Sequence, residues 1–435
     1  MSVSRSVAWN TSVQFIARIV GAAAQALIVI ILARSFVTHF GADEGVRQMG
    51  RYTTIFAFTV LFGTFSEFGL FPTLVKELSN KPDKARLILS KAIPLRMLVA
   101  FVVACLGVLL AFVLRFEPII TIGIVLLAAS TLWTAMSNTF VAYFQSRLLM
   151  VYPAIAEIAG RIVGFIVVGA AALMGASLLM IVSLSVLGFL ITFLVNLWYL
   201  SRFEKLEWRI DLPYWHELMR VAAPVGIISV MSLVYFKIDS VMLAAMRDKF
   251  DIGVYGIPYK LVDVLISLPT LFVSNVFPVL ARSLNDPARA QIIFRKAFDF
   301  LAIIGLGVSV GVFALSVPII HLIGGQTYLT ASSISFAGEA VGAVTVMRII
   351  IWAVLASFFG GLLTIVIILK NLQSRYVWAV LLATAFNIVS NFIIIPRYTY
   401  LGTSIVTVLT EVIVGALGWI IVARFTTFRP KWDVF

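Results

Sequence analysis

The sequence predicts an all-α integral membrane fold with about twelve transmembrane helices in two six-helix bundles, related by a parallel pseudo-twofold repeat. Three observations predict it. The 435 residues are 61% hydrophobic and 12% charged, and the mean hydropathy is +1.06. A soluble domain is about half apolar and roughly 25% charged, so this chain has too little polar surface to cover a water-soluble body. The apolar residues gather into twelve stretches, each near the ~20 residues that cross a bilayer. Finally, short motifs recur six stretches apart and in the same direction.

The stretches are 9–33, 52–75, 97–114, 118–142, 153–173, 177–200, 221–245, 257–281, 298–323, 346–369, 376–395 and 401–423. They are too long and too evenly apolar for barrel strands, so helices must satisfy their backbone groups in lipid. The first stretch begins at Trp9 and exceeds the apolar core of a signal peptide, so no cleavable leader is expected. With both termini cytoplasmic, the inner segments carry 21 of the 33 Lys and Arg and the outer segments seven, Arg96 being counted among the inner ones. That bias fixes span count and orientation together, because one miscounted helix would scramble it. The net charge of +13 is thereby explained as topology, and no nucleic-acid partner is expected.

The one cysteine, Cys105, allows no internal disulfide, and His39, His216 and His321 are far apart in sequence. A metal enzyme is not expected from this set.

The charged connection 201–220 holds Trp208, Pro213, Trp215, His216 and Glu217 and reads as an interfacial cytoplasmic linker. It divides the chain into bundles 1–200 and 221–435. Gly50-Arg51-Tyr52 precedes a stretch with Phe71-Pro72, and Gly253-Val254-Tyr255 precedes one with Phe277-Pro278. Phe144-Gln145-Ser146-Arg147 is matched by Leu372-Gln373-Ser374-Arg375. A parallel repeat in a membrane chain is a transporter architecture, and the expectation is a site between two bundles that rock against each other.

Ionisable residues inside spans cost about 2.5–3.5 kcal/mol each on insertion scales and mark cavities or partners. The basic set is Arg18, Arg161, Lys237, Lys260 and Arg348; the acidic set is Glu67, Glu157, Asp239, Asp263 and Glu411. The sets are equal in number, so counting does not make an electropositive cavity. Asn10, Gln14, Arg18, Gly21 and Gln25 share one face of the first helix. Two readings of Arg18 stand: a pair with an acid on another helix, such as Glu67 or Glu411, or presentation to an anion in a water-filled cavity. Lys260, Asp263, Ser267, Thr270 and Ser274 form a second stripe, in which Lys260 snorkels outward or pairs with Asp263. Glu157 and Arg161 are spaced for an i, i+4 pair. Lys237 and Asp239 point to different sides of their helix and need separate partners. Arg348, at a span end, reads as snorkelling to the interface. Asn387 and Asn391 suit interhelical hydrogen bonding or a polar cavity face. Guanidinium and ammonium groups suit a phosphate, amides and hydroxyls suit sugars, and acids can hold a coupling ion.

Four segments carry a resemblance. They are Glu67-Phe68-Gly69-Leu70 with Lys76-Glu77-Leu78-Ser79; Pro224 with Tyr235-Phe236-Lys237-Ile238-Asp239-Ser240; Val254-Tyr255 with Lys260-Leu261, Phe277-Pro278 and Ala281-Arg282; and Asn387 to Tyr398 with Leu401-Gly402-Thr403, Thr407 and Glu411. In these the chain resembles the polysaccharide transport family, the O-antigen and lipid-linked oligosaccharide flippases of the multidrug/oligosaccharidyl-lipid/polysaccharide exporter superfamily. The resemblance implies alternating access around a cavity and an undecaprenyl-diphosphate-oligosaccharide substrate. It implies a place in the plasma (inner) membrane, and polysaccharide polymerase and glycosyltransferases of the same pathway as partners beside membrane lipids. The family's cationic cavity residues map onto Arg18, Arg161 and Lys237, with Lys260 as a further candidate for the diphosphate. Asn10, Gln14, Gln25, Ser267, Asn387 and Asn391 are the candidate polar cavity residues. Asp239, Asp263 and Glu411 are candidates for coupling to H+ or Na+, and no other cofactor is expected. The chain departs from the family at Thr399, where glycine is expected, and in the long stretch 324–345. A cation-coupled multidrug antiporter of the same superfamily is the alternative, opposed by Arg18 in mid-span. A membrane glycosyltransferase or polymerase is a further one; it would want outward catalytic carboxylates and a large outer loop, and Asp43-Glu44 reads better as a solvated turn.

Overall fold

The computed structural model describes residues 3–336, 338–370 and 372–428. In chain order they form α1 (Val3–Phe40), α2 (Ala42–Glu67), α3 (Leu70–Asn80), α4 (Ala85–Val113), α5 (Pro118–Ser146), α6 (Val151–Leu173) and α7 (Leu178–Ser201). Then follow α8 (Leu212–Met246), α9 (Lys249–Arg282), α10 (Pro287–Ala314), α11 (Ser316–Thr330), the hairpin β1 (Ile334–Phe336) and β2 (Glu339–Val341), α12 (Ala343–Leu369) and α13 (Gln373–Phe425). Each of the twelve expected stretches falls on this helical scaffold. Among the described residues, nine helical segments are long and apolar enough to cross a membrane, and the last, α13, contains two of the expected stretches.

Helix starts follow local chemistry. Ser177 caps α7 by accepting from Met180 N, Asp248 caps α9 at Phe250 N, and Asp286 caps α10 at Arg289 N. Pro118 and Pro287 occupy the first turns of α5 and α10, where a missing N–H costs nothing.

Two expected spans are interrupted, and a further kink falls between the last two. The stretch 52–75 breaks at Phe68 (φ 34°) and Gly69 (φ 71°), both left-handed, so α2 ends and α3 begins in mid-stretch. The stretch 298–323 breaks at Leu315, between α10 and α11. In α13 the chain kinks at Thr399, with φ 43° and ψ −128°. That is the position where glycine was expected, and the backbone there has the sign of φ that glycine favours. The long stretch 324–345 holds the end of α11 and the antiparallel hairpin, with Ile334 opposite Val341. Tyr400, just past the kink, ties the hairpin down: its hydroxyl donates to Val341 O (2.6 Å) and accepts from Ser333 N (3.1 Å).

The described chain packs as two units, Met1–Gly41 with Arg51–Lys237, and Ala42–Gly50 with Ile238–Phe435. In the first, α6 packs on α1 and α7, and α5 on α4 and α7. Leu70, Leu74 and Leu78, one face of α3, pack with Leu89 and Ala92 of α4, Phe140 and Phe144 of α5, and Leu218 and Ala222 of α8. In the second, α12 is the central helix, packing on α9, α10 and α13.

Residues 204–211 of the predicted linker run non-helically along the first unit. Glu207 accepts from Arg209 (2.7 Å) and Arg86, and Asp211 pairs with Lys91 at 2.6 Å. Arg209 N donates to Ser90 O at 3.1 Å. Hydrogen bonds from Arg209 and Arg86 hold the Glu207 carboxyl below its usual range, and the bond from Lys91 does the same for Asp211. Trp208, Ile210 and Leu212, at the alternate positions, are exposed.

Arg96 corrects the sorting of cations. It is not a loop residue; it lies inside α4 and is fully buried. The apolar run starts after it, but the helix starts eleven residues earlier, at Ala85.

Candidate functional site

The first unit encloses a cavity of about 560 Å³ built by α1, α2, α3, α5, α6 and α7. Its volume lies within the usual range of small-molecule sites. Close helix packing shapes the wall. A Cβ on Gly188 of α7 would lie 3.0 Å from Gly160 O and 3.4 Å from Gly164 Cα of α6, so these glycines let the two helices approach backbone to backbone.

Four polar features face this space. Arg161 and Glu157 of α6 line it, half-exposed, with Nη2 and Oε1 3.6 Å apart, so the expected i, i+4 pair forms within the cavity wall. Gly21 of α1 packs beside them; a Cβ there would stand 3.5 Å from Arg161 Nε. Gln25, one turn on, lines the cavity as well.

On the opposite elements, Asn138 of α5 donates Nδ2 to Glu67 Oε1 at 2.5 Å. Glu67 itself is fixed by Arg96, whose Nη2 donates to the same oxygen at 2.7 Å. The rest of the buried guanidinium is spent on Thr139 Oγ1 (3.2 Å), Ala135 O (3.1 Å), and the Ser66 and Glu67 carbonyls (3.3 Å each). Those last two are the carbonyls freed where α2 breaks, so one arginine both caps the break and orients the acid. Asn196 of α7, 1% exposed, donates Nδ2 to Ser137 Oγ at 2.8 Å. Its Oδ1 is buried without a hydrogen-bond partner.

A separate polar cluster lies in the second unit. Asp239 is buried; its Oδ2 accepts from Tyr255 Oη (2.9 Å) and Thr407 Oγ1 (3.0 Å), and its Oδ1 from Ser240 N (2.6 Å). Asn391 Nδ2 donates to Asn387 Oδ1 (3.0 Å) and Asn387 Nδ2 to Thr410 Oγ1 (3.2 Å), tying together the two arms of α13. Glu411 is buried beside them, and Asp263 is half-buried.

Of the residues singled out from sequence, Arg161, Glu157 and Gln25 line the cavity. Lys237 and Lys260 are half-buried and do not line it. The side chains of Asn10, Gln14, Arg18 and Ser267 lie outside the described residues. Arg348 is tied at the α10–α11 break, donating Nε to Ser316 Oγ at 2.9 Å with its guanidinium 5.7 Å from the Phe313 ring centroid. Sequence reasoning missed Asn138, Asn196 and Arg96. Asn196 did carry a signal, a lone amide in the apolar run Phe193-Leu194-Val195-Asn196-Leu197. Among the described residues no cluster of three or more His, Cys, Asp or Glu could hold a metal ion.

Known structures share this architecture. The lipid II flippase MurJ in an inward closed conformation aligns over 97% of this chain and 88% of its own, at 14% identity and a TM-score of 0.75. An inward-facing multidrug resistance MATE family transporter of the MOP superfamily aligns over 94% and 98%, at 11% identity and a TM-score of 0.70. A MOP superfamily transporter from Pyrococcus furiosus Vc1, whose binding pocket is described as of reverse polarity, aligns over 94% of each chain, at 12% identity and a TM-score of 0.62. No curated protein matches the sequence. At these identities the likeness is one of fold, that of multi-pass membrane transporters. The family described as polysaccharide biosynthesis protein matches residues 4–284, and this chain belongs to that family.

Proposed function

We propose that the protein is a flippase that carries an undecaprenyl-diphosphate-linked oligosaccharide from the inner to the outer leaflet of the plasma (inner) membrane by alternating access. The observation that carries this reading is the first unit's cavity, where Arg161 stands among amides and hydroxyls rather than among apolar groups alone. A guanidinium suits the diphosphate, because its fork matches phosphate oxygens. Gln25, Asn138 and Thr192 suit sugar hydroxyls. Glu157 tempers Arg161, so that the phosphate is held without being trapped. The prenyl tail stays in lipid, since burying it would gain nothing over the bilayer. No bond is made or broken. The family membership and the fold of the flippase neighbour support the reading.

In this proposal both termini are cytoplasmic, and polymerase and glycosyltransferases of the same pathway supply and consume the substrate. Coupling to H+ or Na+ would run through the second unit, where Asp239 is buried with Tyr255 and Thr407.

Glu157, a carboxylate inside the cavity, favours one second reading, a cation-coupled multidrug antiporter. Proteoliposomes separate the two. A fluorescent prenyl-diphosphate oligosaccharide that reaches the outer leaflet only when the protein is present supports the flippase. Efflux of a cationic dye with no lipid movement replaces it with the antiporter.

A further inference from the structure

One amide of the cavity wall, Asn138, is oriented by the protein, and its orientation sets what the wall can recognise. Asn138 spends its NH2 on Glu67, an acceptor-only group held in place by Arg96. It therefore offers its carbonyl oxygen from the cavity wall. Asn196 is tied instead to Ser137 Oγ, a hydroxyl that both gives and takes, and is 1% exposed, so it presents no such acceptor. An acceptor left without a donor is costly. Water serves that role in a solvent-filled cavity; a ligand that displaces the water must bring its own N–H or O–H.

From this the geometry assigns a glycan subsite to Asn138, distinct from the anion-binding role of Arg161. The assignment rests on the flippase reading and refines it. Sugar hydroxyls and acetamido N–H groups are donors and satisfy this carbonyl. An ionised diphosphate has acceptors only and is repelled by it. The α5 wall thus takes the sugar and the α6 wall takes the phosphate, which orients the head group. A site whose acceptors are left unpaired discriminates against ligands lacking the donor far more strongly than an apolar pocket does. Glu67 and Arg96 are positioning residues here: they touch no substrate and act through Asn138.

Binding to the full-length protein in nanodiscs tests this with two probes, undecaprenyl diphosphate and undecaprenyl-diphosphate N-acetylglucosamine. Wild type is expected to bind the sugar-bearing lipid more tightly. Asn138→Leu is expected to weaken that lipid about five- to tenfold and leave the bare diphosphate unchanged. Arg161→Ala is expected to weaken both. If the leucine variant does not fold, Asn138→Ser keeps polarity but withdraws the carbonyl, and the same loss of preference is expected. Equal losses on both lipids, or an unchanged preference, would overturn the subsite while leaving the flippase standing. A wild type that binds neither lipid would overturn both.

Discussion

Gly50 of α2 and Gly253 of α9 pack backbone against backbone, and they occupy the same place in the two copies of the sequence repeat. A Cβ on Gly50 would lie 3.0 Å from Gly253 N and closer still to the Lys249 carbonyl. One on Gly253 would lie 3.0 Å from the Val46 carbonyl carbon. Backbone cannot swing aside as a side chain can, so any larger residue forces the helices apart. Each of Gly50→Val and Gly253→Val should destabilise the fold by about 1–3 kcal/mol, read as a fall in the thermal unfolding midpoint. An unchanged midpoint would mean that the crossing is looser than these distances require. Gly63, with open space around its Cβ position, is the matched control and should tolerate alanine.

Arg96 should be among the residues least tolerant of change. Its guanidinium satisfies Glu67, Thr139 and three carbonyls from within a fully buried site. Arg96→Leu strands the acid and the carbonyls at the α2 break, and should cost about 3–5 kcal/mol. Arg96→Lys keeps the charge but not the fork, and should fall between wild type and leucine. Thermal unfolding in detergent checks the order; equality of lysine and arginine would deny the fork its role.

Thr399→Gly should raise stability by about 1 kcal/mol. Thr399 sits at φ 43°, a region costly for a β-branched residue. Its buried hydroxyl has no hydrogen-bond partner, so its removal loses nothing on that side. A lower midpoint for the glycine variant would show that the kink depends on the threonine methyl or hydroxyl.

The linker should loosen in acid. Glu207 and Asp211 have carboxyl pKa values held below their ordinary 4.5 and 3.8 by bonds from Arg209, Arg86 and Lys91. A depressed folded pKa means that the unfolded chain binds protons first, so the clamp contributes fully above those ordinary values and is lost as pH falls through the lower folded values. Amide exchange at Arg209, which donates to Ser90 O, should stay slow from about pH 5 to 8 and accelerate, beyond the intrinsic trend, below about pH 4. Protection that persists at pH 3 would mean that the backbone bond alone holds the strap.

The fold was legible because bilayer thickness imposes a length on every apolar stretch, and all twelve stretches fall on helices. What an apolar window cannot see is where a helix breaks within it. The break at Leu315 lies in an apolar run, and the one at Phe68–Gly69 follows a single acid, Glu67, too brief an interruption to end an apolar window. Arg96 misled for a related reason: its burial depends on Glu67 from another helix, and a sequence read as loops and spans assigns a cation at the edge of an apolar run to the loop. Thr399 is the converse case, where an expected glycine was missing and the backbone nonetheless takes positive φ. Of the candidate site, Arg161, Glu157 and Gln25 were legible through helical spacing. The orientation of Asn138 was not, because it is set by Glu67 from another helix.

The central claim is that the substrate passes through the first unit's cavity, and blocking that cavity tests it. The natural cysteine, Cys105, is exposed and does not line the cavity, whereas Phe165 does. In a Cys105→Ser background, Phe165→Cys protein would be reconstituted with a fluorescent prenyl-diphosphate oligosaccharide, and flipping measured before and after attachment of a bulky maleimide. Flipping that stops on labelling, while wild type labelled at Cys105 continues, is the predicted result. Flipping at an unchanged rate with the cavity filled would contradict it.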